Sequence, residues 1–392
     1  MLGGKLLLYI LSFWTTPTTR RTCCVTTSAL SAVPPGGVGG RVRRGKPWPV
    51  QRRGFVGRVL GRPHFNGWCL RTTEASGTTT SAIVGAFLSG RGKRSQHLVA
   101  VLRRTADGRV EARQRIVYDG VLGASDFSQE GDSSNRRVLW RSPTSGALWL
   151  TPDDALRCRL RLDDDDVTVD MTVEPPDGRK LAFFDAEGWL GRRPWRWALP
   201  CRYDVWTLNS PCSVDGRSAL AHVEYNCGRA FPRNWIWSQA HRCRGRGALL
   251  VVGGDFLPGN LPRTWLLAFR SPAVGEVNLR TVDPSTTAVE ATVDPANGLL
   301  KLTLQTKTLL VDLVVKADPA SFFPDRLFVP TPRGFSDQPG SAESFAATAT
   351  VRVYEPGDDR RQSFRLVEAK TFHDAALEFG GEFLKDDDDG KH

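Results

Sequence analysis

Residues 167–185 read VTVDMTVEPPDGRKLAFFD, and this stretch decides the fold class. Apolar side chains alternate with polar ones from Val167 to Val173, as a half-buried β-strand requires. The Pro-Pro-Asp-Gly run at 175–178 predicts a turn that leads back into a second strand over 181–185. The stretch therefore predicts an antiparallel hairpin with one face in a core.

The same pattern recurs along the chain from about residue 55. Four to ten residues rich in Val, Leu, Phe, Thr and Trp are followed by a turn of Gly, Pro, Asp or Asn. No segment of comparable length has helical periodicity. Many short antiparallel strands at this spacing predict sandwiches or barrels. The predicted strands include 81–88, 109–118, 218–226, 299–315 and 346–354.

The chain divides near 191–200, where Arg, Trp and Pro cluster. We predict an all-β protein with two lipocalin-like antiparallel β-barrel or sandwich halves and little helix. The N-terminal half covers 46–195 and the C-terminal half covers 196–384. Each half has the size of a small barrel that holds one ligand. An acidic tail, 385–392, follows them.

The net charge of +11 is concentrated at the start of the chain. Residues 1–73 contain 12 Lys and Arg and no Asp or Glu, whereas the remainder carries 41 basic and 42 acidic side chains. A nearly neutral body argues against nucleic acid as a partner, because phosphate contacts need a persistent basic face.

The acid-free start predicts a targeting segment and linker over residues 1–45. A short apolar run is followed by a stretch rich in Ser, Thr and Arg and then by a Pro/Gly linker. A plastid transit peptide fits this composition, and a secretory signal or a mitochondrial presequence is the alternative. No other segment reaches about 18 consecutive apolar residues, so no membrane span is expected in the mature protein.

The cysteines predict neither a metal site nor a disulfide framework. The eight are scattered and form no Cys-x-x-Cys pair. Buried free thiols are favoured, and Cys201 with Cys212 is the pair to test if the body were secreted. No Rossmann context surrounds the glycine run at 36–40, and no Gly-x-Ser-x-Gly elbow is present.

A second stretch, residues 224–239, reads EYNCGRAFPRNWIWSQ and carries the functional prediction. A turn built on Gly228 and Pro232 leads into a strand whose two tryptophans, Trp235 and Trp237, share one face. A carboxylate, Glu224, and an amide, Asn226, stand at its entrance. Such a segment could line a cavity for a long apolar ligand.

This stretch resembles the signature of the tocopherol cyclase family, in which Glu-x-Asn-Trp-Gly-x-x-Phe-Pro-x-x-Trp-x-Trp-x-Gln is expected. Other blocks in the same order are similar to that family: PHFNGWCLR at 63–71, GWL at 188–190, YDVW at 203–206 and LEFGGEF at 377–383. Cys227 departs from the pattern, because the family has Trp there. An enlarged cavity or a missing wall is the expected consequence.

The resemblance implies a tocopherol cyclase of vitamin E biosynthesis, located in the plastid and associated peripherally with lipid surfaces such as plastoglobules. The implied reaction is the redox-neutral ring closure of a prenylated benzoquinol to a chromanol, which requires no cofactor and no metal. An acid protonates an alkene of the tail, and a ring phenol adds to the cation. Such chemistry needs a strong acid, a surface that tolerates positive charge, and the exclusion of water.

Three residues are the candidate catalytic groups. Glu224 is the first choice for the acid and Asp204 the second, because burial raises the pKa of a carboxyl group. His222 lies two residues before Glu224 on the same face of the strand and could relay the phenolic proton. An ion pair with a neighbouring arginine, or a structural hydrogen bond, is the alternative role for these groups.

Six residues are the candidate substrate-binding groups. Trp235 and Trp237 offer π surfaces to the cation, although core packing explains them equally well. Asn226 and Gln239 could hydrogen-bond the hydroquinone oxygens, while Trp68 and Arg71 shape or brace the pocket. A carrier of isoprenoids without a working acid, or a hydratase or isomerase of another prenyl lipid, remains the alternative function.

Overall fold

The computed structural model describes residues 63–89, 94–122, 137–162, 166–175, 199–241, 247–256, 263–357 and 364–384. The predicted targeting segment, the strand predicted at 181–185, the block at 188–190 and the acidic tail all lie outside this part of the chain.

The first sheet has eleven antiparallel strands, in the order β4-β3-β2-β1-β11-β10-β9-β8-β7-β6-β5. These strands are β1 (His64–Glu74), β2 (Thr79–Leu88), β3 (Gln96–Arg104), β4 (Val110–Val117), β5 (Val121–Leu122), β6 (Arg137–Ser142), β7 (Gly146–Leu150), β8 (Leu156–Leu162), β9 (Val167–Val173), β10 (Cys201–Val214) and β11 (Arg217–Gly228).

The second sheet has ten strands and is also antiparallel, in the order β15-β14-β13-β12-β21-β20-β18-β17-β16, with β19 paired to β20. These strands are β12 (Asn234–Ala240), β13 (Ala248–Gly254), β14 (Thr264–Ser271), β15 (Gly275–Arg280), β16 (Thr286–Asp294), β17 (Leu299–Thr306), β18 (Leu310–Lys316), β19 (Leu327–Thr331), β20 (Gly334–Pro356) and β21 (Phe364–Gly381). The described residues contain two single 3₁₀ turns, Pro319–Ser321 and Glu382–Leu384, and no α-helix.

Each sheet curls around a core of its own. In the first sheet the indole of Trp140 on β6 donates to Nδ1 of His97 on β3, 3.1 Å away, although these strands lie far apart in the sheet order. Its core draws apolar side chains from β1 and β3 as well as from β6 to β9. In the second sheet, side chains of β15 and β17, which also lie far apart in the order, enter one core. Two curled, barrel-like halves result.

A third apolar layer joins the two sheets. It contains Ala100, Leu102 and Val205 of the first sheet and Leu250 and Phe345 of the second, among others. These side chains point away from the cores of their own sheets because strand residues alternate between faces. The two halves therefore pack back to back.

The all-β architecture with two barrel-like halves is confirmed. Strand β9 has the predicted bounds. The segment predicted as one strand at 299–315 is instead the hairpin of β17 and β18, because Thr306 and Leu309 close a turn with a hydrogen bond of 2.7 Å from the Thr306 amide to the Leu309 carbonyl. The predicted boundary at 195–196 stays a prediction, while the chain passes between the sheets at 229–233.

The expectation that each half has the size to hold one ligand stays a prediction. Bulky side chains fill both interiors: Trp68, Trp140 and Trp206 in the first core, and Trp265, Phe269 and Phe372 in the second. The cavities around the candidate residues lie in the layer between the sheets.

Among the described residues Cys69, Cys158 and Cys212 are free thiols. In the same part of the chain, no helix has the length and apolar character needed to span a bilayer, and no group of three or more His, Cys, Asp or Glu side chains is placed to hold a metal ion.

Candidate functional site

Two neighbouring strands of the first sheet present the site residues on one face. On β11, Ala221, Val223 and Tyr225 point into the first core. Because side chains alternate along a strand, His222, Glu224 and Asn226 point the other way, toward the second sheet. In the antiparallel pairing with β1, Cys69 lies opposite Glu224 and Arg71 lies opposite His222, so these side chains share that face.

Glu224 is the centre of a hydrogen-bonded cluster. Its Oε2 accepts from the Tyr203 hydroxyl at 2.6 Å and from the Trp237 indole at 3.0 Å. The Nε2 atom of His222 lies 3.1 Å from the same oxygen. Oε1 accepts from the Asn226 amide at 3.4 Å. A carboxyl group that serves as acceptor to this many donors is arranged as an anion.

Two further carboxyl groups face Glu224 from the second sheet. Glu343 on β20 and Glu378 on β21 are directly opposite in the antiparallel register, so their side chains leave the sheet side by side. Glu343 is buried, and Glu378 is partly buried. The indole of Trp235 donates to Oε1 of Glu378 at 2.8 Å.

Arg71 is the cation of the site, and it is buried. Its guanidinium donates to the side-chain oxygen of Gln239 and to the backbone carbonyl of Asp374. The charged group also lies over the ring of Phe345, 5.0 Å from the centroid. Gln239 in turn contacts Nδ1 of His241 at 2.7 Å. These contacts hold Arg71 between the two sheets.

Adjoining cavities open beside these groups. The larger, of about 650 Å³, is bounded by Glu224, Glu343, Glu378 and Trp237, together with apolar side chains. A smaller one, of about 410 Å³, shares Glu224, Glu378 and Trp237 with it and adds Trp235. Both are lined mainly by apolar and aromatic side chains with a few polar groups, which is the usual make-up of a small-molecule site.

An apolar cavity continues from the smaller one. It measures about 480 Å³ and shares Tyr203, Val252 and Phe256 with its neighbour. Its wall also includes Trp265 and Leu266. The carboxyl groups therefore lie where a mixed polar and apolar cavity meets an apolar one.

The environment of the two carboxyl groups of the second sheet favours their neutral forms. Burial, followed by the charge of Glu378, raises the pKa of Glu343 well above its ordinary value, and Arg71 opposes this shift. Burial and the charge of Glu224 raise the pKa of Glu378 to about 7, while the hydrogen bond from Trp235 opposes them. A carboxyl group with a pKa near neutrality is suited to proton transfer.

The other ionisable groups near Glu224 keep their ordinary charge states at neutral pH. Burial and the charge of Glu224 raise the pKa of the Tyr203 hydroxyl and of the Cys69 thiol well above their usual values, so both stay protonated. Burial lowers the pKa of Arg71 to about 10, which leaves it a cation. Burial, followed by the charge of Arg71, lowers the pKa of His241, which is therefore neutral.

The structure brings together most of the predicted site residues. Glu224, His222, Asn226 and Trp237 form the first cluster, and Trp235 adjoins it through Glu378. Arg71 and Gln239 are hydrogen-bonded to each other.

Two predicted residues lie on the other side of the first sheet. Asp204 is opposite Tyr225 in the register of β10 and β11 and pairs with Arg202 at 2.9 Å, so it faces away from Glu224. Trp68 contributes to the wall of the larger cavity, but its ring packs on Tyr225, 5.0 Å between centroids. Cys227 also packs against the first core, so its side chain shares the face of Tyr225 rather than that of Glu224.

Sequence reasoning missed Tyr203, Glu343 and Glu378 as site residues. Tyr203 and Glu378 lie inside the blocks that resemble the tocopherol cyclase family, at 203–206 and 377–383. The resemblance could therefore have identified both as candidate site residues. Glu343 precedes the predicted strand at 346–354, and only the pairing of β20 with β21 places it beside Glu378.

Comparison with known proteins identifies the fold and nothing narrower. No family model and no curated protein matches the chain. The chain has the fold of CghA. The two structures align over 84% of this chain and 90% of CghA, with 14% sequence identity and a TM-score of 0.50.

Two other solved structures align less well. A putative AttH from Nitrosomonas europaea matches with 11% identity over 82% of this chain and 92% of its own, at a TM-score of 0.42. Kievitone hydratase from Nectria haematococca matches with 10% identity over 83% and 90%, at a TM-score of 0.38.

Proposed function

We propose that the chain catalyses the acid-dependent, redox-neutral ring closure of a prenylated benzoquinol to a chromanol, the reaction of tocopherol cyclases. The observation that carries the proposal is the convergence of Glu224, Glu343 and Glu378 on one cavity whose walls include indole rings. Carboxyl groups in apolar surroundings supply a proton at neutral pH. Indole faces tolerate the cation that follows.

The cavities suit the two ends of such a substrate. Asn226 lies beside Glu224, where it can donate a hydrogen bond to an oxygen of the aromatic ring. The apolar cavity beyond Tyr203 and Phe256 suits a hydrocarbon tail. The reacting alkene would then lie near the junction of the cavities, beside Glu224 and Glu378.

A carrier of isoprenoids would not need this arrangement. Burying carboxyl groups costs free energy, and a neutral lipid gains nothing from Glu224, Glu343 and Glu378 together. Trp237 and the apolar walls would be sufficient for binding alone. The cluster is therefore better explained by proton transfer.

The test is to incubate the full chain with a benzoquinol that carries a twenty-carbon prenyl tail, under reducing conditions, and to analyse the products by mass spectrometry. We expect a chromanol of unchanged mass. Glu224→Gln should bind the substrate, as measured by quenching of tryptophan fluorescence, and should lose turnover.

Asp204→Asn is the matched control, because it neutralises a buried carboxyl group on the opposite face of the first sheet. It should retain turnover. A product heavier by one water would identify a hydratase. Binding without any product in the wild-type protein would identify a carrier.

We also propose that the protein acts in the plastid, at its lipid surfaces. The proposal rests on the composition of residues 1–45 and on the insolubility of the substrate. Fusion of residues 1–62 to a fluorescent protein should direct it to plastids. Fluorescence in the secretory pathway or in mitochondria would contradict the proposal.

A further inference from the structure

The three carboxyl groups of the cavity have different surroundings, and the difference assigns their roles. Glu224 is surrounded by donors, with Tyr203, Trp237 and Asn226 all directed at its oxygens. A protonated carboxyl group would have to donate its own hydrogen, and the donors already occupy these positions. Glu224 is therefore held as a carboxylate before the reaction and does not carry the proton that the catalytic acid must deliver. Its Oε1, whose contact with the Asn226 amide is long at 3.4 Å, is the oxygen that can take up a proton later.

Glu343 and Glu378 are in the opposite situation. They face one another directly across strands β20 and β21, and like charges placed opposite each other in a sheet repel. Glu378 is hydrogen-bonded to the Trp235 indole through Oε1. Two carboxyl groups in such a position share the site most easily when at least one of them carries a proton.

We propose that the proton delivered to the alkene comes from Glu378, with Glu343 as its neutral neighbour, and that Glu224 is the anion that accepts the phenolic proton. Glu378 is the better placed of the pair because it lines both cavities with Glu224, whereas Glu343 lines only the larger of the two. This inference rests on the proposed function and deepens it by assigning the acid and the base.

The step is balanced in atoms and charge. The O–H bond of Glu378 breaks as a C–H bond forms at the alkene, which leaves a tertiary cation and a Glu378 carboxylate. The phenol oxygen then forms a C–O bond to the cation, and its proton passes to Glu224. Return of that proton from Glu224 to Glu378 restores the starting state, so substrate and product have the same mass.

Charged and titratable groups face Glu378 from each strand packed against it. Glu224 on β11 raises the pKa of Glu378. Glu343 on β20 lies opposite Glu378, and its own pKa is raised by burial and by the charge of Glu378 and lowered by Arg71 on β1. Cys69 on β1 stays a thiol and carries no charge near neutrality. The donors Trp235 and Ser341 favour the carboxylate of Glu378. Burial shifts the pKa of Glu378 more than any of these groups, and the net value is about 7.

Infrared spectroscopy of the full chain without substrate tests where the proton lies. At about pH 6 the wild-type protein should show carboxylic-acid C=O bands, one of which titrates near neutrality. Glu378→Gln should remove that band, and Glu343→Gln should remove another. Glu224→Gln should keep both bands and move the midpoint of the titrating band to lower pH, because a neighbouring negative charge is lost. Absence of such bands in the wild type, or loss of a band only in Glu224→Gln, would overturn the assignment.

Kinetics test what the proton does. Glu378→Gln should lower kcat by about 10²–10⁴-fold with little change in KM, because a general acid contributes in that range. The Gln side chain can still accept the Trp235 hydrogen bond, and thermal unfolding checks that the variant folds.

Retained turnover in Glu378→Gln would refute the role of Glu378 as the acid. Failure of the wild type to form a chromanol would instead refute the proposed function, while the infrared result still decides the position of the proton.

Discussion

At the scale of single residues, the protonation of Glu378 is a balance between opposing contacts. Burial and the negative charge of Glu224 favour the neutral acid, whereas hydrogen bonds from Trp235 and Ser341 favour the carboxylate. Since the net pKa of Glu378 is about 7, removal of one contact should move this pKa above or below neutral pH.

Trp235→Phe should raise the pKa of Glu378. The substitution removes the indole N–H that stabilises the carboxylate and keeps an aromatic ring in the cavity wall. Titration of the Glu378 carboxyl by infrared spectroscopy should give a midpoint above that of the wild type. The alkaline limb of kcat/KM should move in the same direction.

Trp237→Phe is the matched control for this variant. It lies two residues along the same strand and donates to Glu224 and Tyr203 instead. An unchanged midpoint in Trp235→Phe, or a larger rise in Trp237→Phe, would show that the Trp235 hydrogen bond does not set the pKa of Glu378.

At the scale of strands, the position of Trp235 depends on a glycine in the neighbouring strand. Gly380 on β21 lies opposite Trp235 on β12. A Cβ atom at position 380 would come within 2.0 Å of the indole ring. Because Gly380 has no side chain, the indole ring of Trp235 can lie over β21, beside Glu378.

Gly380→Ala should displace the indole and destabilise the protein. Overpacking of this kind costs about 1–3 kcal/mol. Gly67→Ala is the matched control, because Gly67 also lies within a strand and its added Cβ would be 3.7 Å from the nearest atom. Chemical denaturation should show that Gly380→Ala lowers the free energy of unfolding clearly more than Gly67→Ala does. Equal losses would contradict the proposed role of Gly380.

Strand patterns were predictable where alternation is regular and local. Strand β9 could be predicted to the residue because its two faces differ throughout. Strand β20, which spans Gly334–Pro356, was predicted only over 346–354, because its pairing with β21 shifts register between Ser344 and Ala349 and again at Tyr354. Such irregularities break the period of two on which the prediction depends.

The site was predictable within one strand and not between strands. The pairs His222 with Glu224 and Trp235 with Trp237 follow from a separation of two residues. The approach of Glu343 and Glu378 to Glu224 depends on how two sheets pack, which the spacing along the chain does not encode. Spacing along the chain also could not show that Asp204, the second candidate for the acid, faces away from Glu224, because this depends on the register of β10 with β11.

At the scale of the whole molecule, the two filled cores explain why the site lies between the sheets. Large apolar side chains occupy each core in the described residues. The layer between the sheets must instead accommodate carboxyl groups, and these groups cost stability when they ionise. The stability of the fold should therefore depend on pH through the same residues that carry the proposed chemistry.

The buried histidines and the buried carboxyl groups act in opposite directions. Between the ordinary carboxyl pKa of 4.5 and the folded value of about 7 for Glu378, the unfolded chain binds fewer protons than the folded protein, so this group lowers the free energy of unfolding as pH rises. Burial lowers the pKa of His97 from 6.5 to about 4, and that of His241 also falls. These histidines therefore raise the free energy of unfolding as pH rises toward 6.5.

Above about pH 6.5 the histidines no longer contribute, and only the carboxyl groups act until thiols begin to ionise near pH 8.5. We expect the free energy of unfolding, measured by urea denaturation, to fall by about 1–3 kcal/mol over this window, at 1.36 kcal/mol per pKa unit and group. The double variant Glu343→Gln with Glu378→Gln should abolish the fall, because Gln does not ionise. His97→Gln changes the pH dependence only below about pH 6.5, so this variant should retain the fall in the free energy of unfolding. A wild-type protein equally stable across the window would mean that Glu343 and Glu378 are ionised in the folded state at neutral pH.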